Sequence, residues 1–260
     1  LGDVYKRQLP ESAICELVKP YRSNSKQLQA LWDNVRKMED DILDRLQAGG
    51  YSVNLDPSIL TPASENEIIL CLNYGGLYGI NNINHFMQEN NNGKEIRRGI
   101  QRYKVGDPIL FNDLADSFFT KNKEQVPIIH TNMKGRIEDF RLLEAGKVTE
   151  RIQFDIEIDK PLMNLDDKDL DFQVIGVSEK GNSIIRFEVY KNKSTDEDDD
   201  SVSKNMVPFQ IAYAVSIHKA QGLEYDSVKI IITDDIDELI THSIFYTCLL
   251  YTSPSPRDTR

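Results

Sequence analysis

Apolar residues recur at helical spacing in the first part of the chain. One face of the predicted helix carries Leu28, Leu31, Val35, Met38 and Ile42. This period predicts one helix over residues 24–48, which a pair of glycines ends. A second helix is expected over 78–89, before a polar, asparagine-rich loop.

Continuous apolar runs predict strands that are buried on both faces, as in parallel sheets. Two such runs occupy residues 68–72 and 228–232, and a mixed run at 12–18 predicts a further strand. From about residue 106 to 191 the pattern changes to short β-rich runs separated by turns, which predicts a small β-barrel. The strands expected there are 108–111, 128–130, 152–158, 172–177 and 184–190, and the expected turns contain Gly135, Gly146 and Gly181.

After residue 205 the pattern predicts α/β structure again. The apolar run 209–219 is expected to be partly helical, and 239–247 begins another helix. The predicted fold class is therefore α/β, with a parallel-sheet layer that a β insertion interrupts. The expected parts are a first stretch over 9–105, the insertion over 106–205 and a second stretch over 206–247.

The composition is that of a globular protein. The chain has 260 residues, 40% hydrophobic and 28% charged, and no apolar run approaches the roughly 20 residues that a membrane-spanning helix needs. The net charge of −11 has the wrong sign for a protein that coats nucleic acid non-specifically, although it does not exclude a local basic groove. Cys15, Cys71 and Cys248 match neither a disulfide framework nor a metal cluster, which indicates a reducing, cytoplasmic compartment.

The two ends of the chain can be encoded by the two strands of one short DNA. Residues 3–8 read Asp-Val-Tyr-Lys-Arg-Gln, which GAT GTG TAT AAG AGA CAG encodes. The reverse complement of that DNA, read one base on, encodes Cys-Leu-Leu-Tyr-Thr-Ser, the sequence of residues 248–253. We therefore expect residues 1–8 and 248–260 to be translated sequencing adapter rather than native protein. Each end carries a net charge of +1, which leaves −13 for the stretch between them.

The most specific string in the chain lies at 214–225 and reads Ala-Val-Ser-Ile-His-Lys-Ala-Gln-Gly-Leu-Glu-Tyr. It resembles motif V of superfamily 1 helicases, in which a Ser or Thr, a His and a Gln-Gly-x-Glu precede a strand. The strand predicted at 228–232 follows it in the expected place. Residues 244–247, Ile-Phe-Tyr-Thr, resemble the opening of motif VI of the same enzymes.

Three further segments carry the resemblance. Residues 17–23, Leu-Val-Lys-Pro-Tyr-Arg-Ser, resemble motif IV, and residues 77–84 resemble a Leu-Gly-x-x-x-Leu-Asn segment of RecD-type helicases. Residues 104–108 resemble the Gly-Asp-Arg that opens the β-barrel insertion of those enzymes, with Pro108 in place of the arginine. Together these segments resemble the second motor domain of a RecD-like or UvrD-like superfamily 1 DNA helicase. The resemblance implies a RecA-like parallel-sheet lobe interrupted by a small SH3-like β-barrel.

The resemblance implies roles at an ATP site. Arg22 would stabilise the charge that develops on the γ-phosphate, Tyr21 would stack on adenine, and Glu224 would accept hydrogen bonds from the ribose. Gln221 and Gly222 would lie near the phosphates, because glycine lets a backbone approach closely. By residue type alone, a surface arginine, a packed tyrosine, a helix C-cap glycine and an exposed acid remain alternatives. The chain contains no Gly-x-x-x-x-Gly-Lys loop, so ATP and its Mg²⁺ would be held mainly by an N-terminal RecA-like lobe of the same protein.

The resemblance also implies contacts to single-stranded DNA. Ser216, His218 and Lys219 carry hydrogen-bond donors suited to phosphate oxygens, which position a strand without reading its sequence. A lone histidine in an apolar stretch is more often buried and structural, but the neighbouring motif residues favour the strand contact. Asn81 is a further candidate, although asparagine at the start of a helix is commonly a cap.

A non-catalytic alternative stays open. A degenerate RecA-like lobe with a barrel could serve as a protein-interaction module, which the net charge and the acidic run at 196–200 favour, although such runs are usually solvated loops. The two hypotheses differ in the expected geometry, because a motor lobe brings Arg22, Gly222 and Glu224 to one edge of a cleft. A nuclease is not supported, since the Asp-rich stretches lack the spacing of a metal site.

Overall fold

The computed structural model describes residues 25–37, 42–49, 60–61, 64–112, 128–147, 149–162, 172–190, 206–220 and 222–232. Both expected adapter ends, the strand at 12–18, the helix at 239–247 and the acidic run at 196–200 lie outside the described residues. The chain divides into two compact units.

The described part of the first unit is mainly helical. It contains helix α1 (Lys26–Arg36), helix α2 (Ile42–Ala48) and the short segment Glu224–Asp226. On α1 the residues Leu31, Trp32 and Val35 are buried, as the apolar period predicts. Both described parts of the helix predicted over 24–48 are therefore helical, and residues 38–41 between them lie outside the described residues.

The second unit contains helix α3 (Ile80–Asn90) and two principal sheets. Its strands are β1 (Glu67–Cys71), β2 (Glu95–Arg98), β3 (Gln101–Lys104), β4 (Pro108–Phe111), β5 (Lys134–Leu143), β6 (Arg151–Ile158), β7 (Gln173–Val177), β8 (Ser183–Tyr190), β9 (Phe209–Ile211), β10 (Ala214–Ser216) and β11 (Ser227–Ile230). None of the helices in the described part of the chain has the length and apolar character that crossing a bilayer requires.

The smaller principal sheet is parallel and has the order β10-β1-β11. Its central strand, β1, is buried from Ile68 to Cys71, which confirms the buried strand predicted there. Helix α3 places Ile83 and Met87 in the same core cluster as residues of this sheet. A strand also forms at the second predicted run, as β11, but its residues are half-buried rather than buried.

The larger principal sheet is antiparallel and has the order β7-β8-β6-β5-β4-β9. Its core combines isoleucine and aromatic side chains, with Phe154 at the centre of ring contacts to Tyr103, Phe140, Phe187 and Phe209. Strands β4, β6, β7 and β8 lie where the sequence pattern predicts them. A hairpin of β2 and β3, which was not predicted, precedes this sheet.

Two details of the predicted insertion are wrong. Residues 128–130 form no strand, because the chain bends there into a turn in which Met133 N donates to His130 O at 3.0 Å. Gly135 lies inside β5 rather than in a turn, and a Cβ atom at this position would meet the Glu157 carbonyl oxygen at 2.8 Å. Close approach of two strands therefore requires the glycine.

The partly helical segment predicted over 209–219 is also wrong. The run instead forms the last strand of the antiparallel sheet, β9, and the parallel strand β10, followed by a turn. Since β9 pairs with β4, the antiparallel sheet extends beyond residue 205, and the chain enters the parallel sheet at Ala214.

Candidate functional site

The turn that follows β10 begins at Ser216 at the carboxyl end of the parallel sheet. Ile217 N donates to Cys71 O at 3.3 Å, which holds the start of the turn against β1. Lys219 N and Ala220 N both donate to Ser216 O, at 3.0 and 3.2 Å. Ligands of open α/β sheets bind outside the carboxyl ends of the strands, so this edge is the place to expect a site.

The side chains of Ser216 and His218 differ in exposure. Ser216 is buried, and its hydroxyl oxygen accepts a hydrogen bond from Lys219 N at 3.3 Å, which supports the turn. His218 is exposed at the outside of the same turn. Of the two side chains, His218 is therefore the one that a ligand in solvent meets first.

Lys219 turns back toward the antiparallel sheet. Its ammonium nitrogen lies 2.5 Å from Gln210 Oε1 and 3.4 Å from Asn112 Oδ1. Gln210 belongs to β9, and Asn112 directly follows β4. The turn at the edge of the parallel sheet is therefore hydrogen-bonded to the antiparallel sheet, at β9 and directly after β4.

Gly222 ends this turn in the left-handed region, with φ at +88°. Side chains other than glycine rarely adopt this conformation without strain. Apart from the glycine's chain neighbours, no heavy atom of the described residues lies within 4 Å of the position that a Cβ would take, and Gly222 is exposed. The left-handed backbone, rather than close packing, therefore accounts for the glycine at this position.

The structure brings four of the predicted site residues together on one turn. These are Ser216, His218, Lys219 and Gly222. Glu224 is half-buried and belongs to the first unit. Arg22, Tyr21 and Gln221 lie outside the described residues. Within the described ranges, no group of His, Cys, Asp and Glu side chains is arranged as a metal site.

Asn81 lies on the exposed face of the first turn of α3. The helix is not capped by an asparagine, because its N-cap is Gly79 and no side chain caps it. Asn84 instead binds the backbone of Ala214 at two points, since Oδ1 accepts from its N–H at 2.8 Å and Nδ2 donates to its carbonyl at 3.0 Å. This pair fixes the start of β10, and sequence reasoning missed it.

Asp107 also has a structural role that the sequence does not predict, although it belongs to the Gly-Asp pair of the resemblance. The carboxylate is fully buried and accepts hydrogen bonds from Gln88 Nε2 at 2.6 Å, Asn91 Nδ2 at 2.8 Å, Lys104 N at 2.8 Å and Tyr213 OH at 2.8 Å. Burial raises the pKa of the Tyr213 phenol, and the neighbouring carboxylate raises it further. The network joins the end of α3 to the places where the chain enters and leaves the antiparallel sheet.

Solved structures provide the comparison that decides the fold. No family model and no curated protein match this sequence. The Pif1 helicase from Bacteroides, solved in complex with ADP-AlF3 and ssDNA, has a TM-score of 0.50 at 15% identity, over 92% of this chain and 50% of that one. The fold is that of an α/β RecA-like lobe.

A second solved structure is similar at a slightly lower score. The Pif1 helicase from Candida albicans has a TM-score of 0.49 at 12% identity, over 92% of this chain and 57% of that chain. The chain spans about half the length of these two helicase structures. At these identities the similarity concerns the fold.

Proposed function

We propose that this chain is the second motor lobe of an ATP-dependent helicase or translocase that moves along single-stranded DNA. The observation that carries the proposal is the turn from Ser216 to Gly222, which places three hydrogen-bonding side chains and an uncovered glycine at the carboxyl edge of a RecA-like sheet. The Bacteroides helicase of similar fold was solved with a nucleotide analogue and with single-stranded DNA, which supports both ligands.

In this proposal the nucleotide lies between this lobe and an N-terminal RecA-like lobe of the same protein, which holds most of ATP and Mg²⁺. Bound ATP supplies the phosphoryl group whose transfer to water drives the motor. Arg22 stabilises charge on the γ-phosphate, and Tyr21 stacks on the adenine. Gln221 and Gly222 approach the phosphates through the backbone, and Glu224 accepts hydrogen bonds from the ribose.

The strand of DNA contacts the other side chains of the turn. His218 and Lys219 donate to phosphate oxygens from exposed or half-exposed positions, and Ser216 donates from the end of β10. Asn81 adds a contact from the exposed face of α3. The antiparallel sheet then corresponds to an SH3-like module inserted into the motor lobe, and the protein acts in the cytoplasm.

Turnover by a protein that carries both lobes tests the proposal. The wild type is expected to hydrolyse ATP only in the presence of single-stranded DNA. Arg22→Ala is expected to lower kcat by about 10³- to 10⁵-fold, because a fixed guanidinium no longer neutralises the transition-state charge. Nucleotide affinity is expected to change little, since most contacts to ATP come from the other lobe.

Arg36→Ala is the matched control. Arg36 is an exposed arginine that pairs with Asp33 at 3.4 Å on α1, and its loss is expected to leave turnover unchanged. Wild-type turnover in Arg22→Ala refutes the role of Arg22. A both-lobe protein with no DNA-stimulated hydrolysis at all refutes the motor function and supports the non-catalytic interaction module.

A further inference from the structure

The side chain of Lys219 is held by two amides from neighbouring strands. Gln210 lies opposite Leu110 in the pairing of β9 with β4, and Asn112 follows the end of β4. Asn112 N also donates to Pro208 O at 2.9 Å, which fixes the backbone that carries one of the two amides. The direction of the lysine side chain is therefore set by the antiparallel sheet.

The partners of this lysine differ from those of three other lysines in the same unit. Lys134 pairs with Asp159 at 2.9 Å, Lys180 with Glu65 at 2.5 Å and Lys229 with Glu67 at 2.7 Å. For Lys219 the recorded partners are neutral amide oxygens, and among the described residues no carboxylate lies within salt-bridge distance of its ammonium. The ammonium is thus fixed in direction, and no carboxylate in the described part of the chain neutralises its positive charge.

An ammonium group has three N–H donors, and two amide oxygens engage at most two of them here. The third donor is available to a further acceptor on the half-exposed side of the lysine. A pre-oriented cation loses less rotamer freedom on binding an anion than a mobile surface lysine does. These properties suit a contact to a negatively charged phosphate oxygen.

We propose that Gln210 and Asn112 are positioning residues that direct the Lys219 ammonium toward a backbone phosphate of single-stranded DNA. The inserted antiparallel sheet thereby sets the strength of a contact made by the motor lobe. This inference rests on the proposed function, because it takes the strand as the ligand of the turn. It adds that two side chains outside the turn control the contact.

A substitution that keeps the bond but cancels the charge separates this role from a purely structural one. In Gln210→Glu the carboxylate still accepts from Lys219, so the link between turn and sheet is kept or strengthened. The ammonium is then neutralised by its partner, and its attraction for phosphate falls. Gln173→Glu is the matched control, since Gln173 is an exposed residue of β7, at the opposite edge of the same sheet, and acquires the same charge.

The measurement is the affinity of the both-lobe protein for a fluorescent oligothymidylate, taken by anisotropy at several salt concentrations. Gln210→Glu and Lys219→Met are expected to weaken binding several-fold. Both are expected to reduce the slope of log K against log salt by roughly 0.7, the value for one lost phosphate contact on a single strand. Gln173→Glu is expected to retain the wild-type slope, and Gln210→Glu the wild-type melting temperature.

The other outcomes distinguish a failure of this inference from a failure of the proposed function. If Gln210→Glu binds with the slope and affinity of Gln173→Glu, the lysine only links the turn to the sheet and the inference fails, while the proposed function stands. If the wild type binds no single-stranded DNA at all, the proposed function fails and the inference fails with it. A Lys219→Met protein that does not fold leaves Gln210→Glu to decide.

Discussion

The two principal sheets of the second unit are stabilised in different ways. The antiparallel sheet has long ladders, such as β6 with β8, and a core rich in phenylalanine. The parallel sheet pairs β1 with β10 over only three residues, and its buried core cluster contains aliphatic and sulfur-containing side chains but no phenylalanine. The candidate site lies on the turn at the end of this shorter sheet.

The sheet that is stabilised by its own long ladders is therefore not the sheet that carries the candidate site. Ion pairs in the antiparallel sheet add to its extensive backbone hydrogen bonding. One example is Arg186, which donates to both carboxylate oxygens of Asp155 at 2.6 Å. The parallel sheet instead depends on outside contacts, including Asn84 on β10 and the Lys219 link. A short strand held by such contacts can present a turn to a ligand while the larger sheet provides a rigid base.

The largest loss of stability is expected from a substitution in the core of the antiparallel sheet. Phe154 is fully buried among four other rings, so Phe154→Ala is expected to lower the free energy of unfolding by about 3–5 kcal/mol. Urea denaturation measures the loss. Phe86→Ala, at a residue that is 41% exposed, is the control and is expected to cost far less. Equal losses in the two variants would contradict the central position of Phe154.

A smaller effect is expected where the two sheets join. Asp107→Asn replaces a buried acceptor of four hydrogen bonds by an amide whose NH₂ faces donors, and we expect a loss of roughly 2–3 kcal/mol. Asp159→Asn removes an exposed pair with Lys134 and is expected to cost less than about 1 kcal/mol. Hydrogen exchange of β4 and β10 in Asp107→Asn shows whether both sheets loosen. Unchanged protection in both strands would contradict the joining role.

The smallest effect concerns the centre of the parallel sheet. Burial raises the pKa of the Cys71 thiol to about 12. Because the folded pKa lies above the unfolded one, this thiol's contribution to stability is complete below about pH 8.5 and is lost as the pH rises toward 12. Native Cys71 is therefore expected to react with iodoacetamide only as fast as the sheet opens, as peptide mass spectrometry can follow. Rapid labelling at pH 8 in native protein would contradict this burial.

The sequence pattern predicted the strands whose residues are either buried throughout or alternately buried and half-buried. The run that became β1 is apolar throughout, and β8 alternates along its whole length. Strand β5 escaped prediction because a register shift between Ile137 and Asp139 places its buried residues Ile137 and Phe140 three apart rather than two. Strand β10 lies in a run for which the pattern predicts partial helix, because three consecutive buried residues show no strand period.

The candidate site was predictable only as far as local sequence defines it. The string around His218 marks the segment that forms the turn, and for Gly222 the sequence offers a close approach to phosphate or a helix C-cap. The partners of Lys219 were not predictable, because Asn112 lies 107 residues away along the chain and neither amide has a sequence signature. Such contacts depend on how β4 and β9 pair, which a single sequence does not specify.

The pairing of β4 with β9 brings the first and last strands of the antiparallel segment side by side, with Ile109 opposite Ile211. Because these two ends lie side by side, a longer segment between them could be accommodated without pulling β1 away from β10. Proteins of this fold could therefore carry different segments at this junction while the strands of the parallel sheet keep their spacing. For protein engineering, the same junction is a natural place to graft a foreign domain.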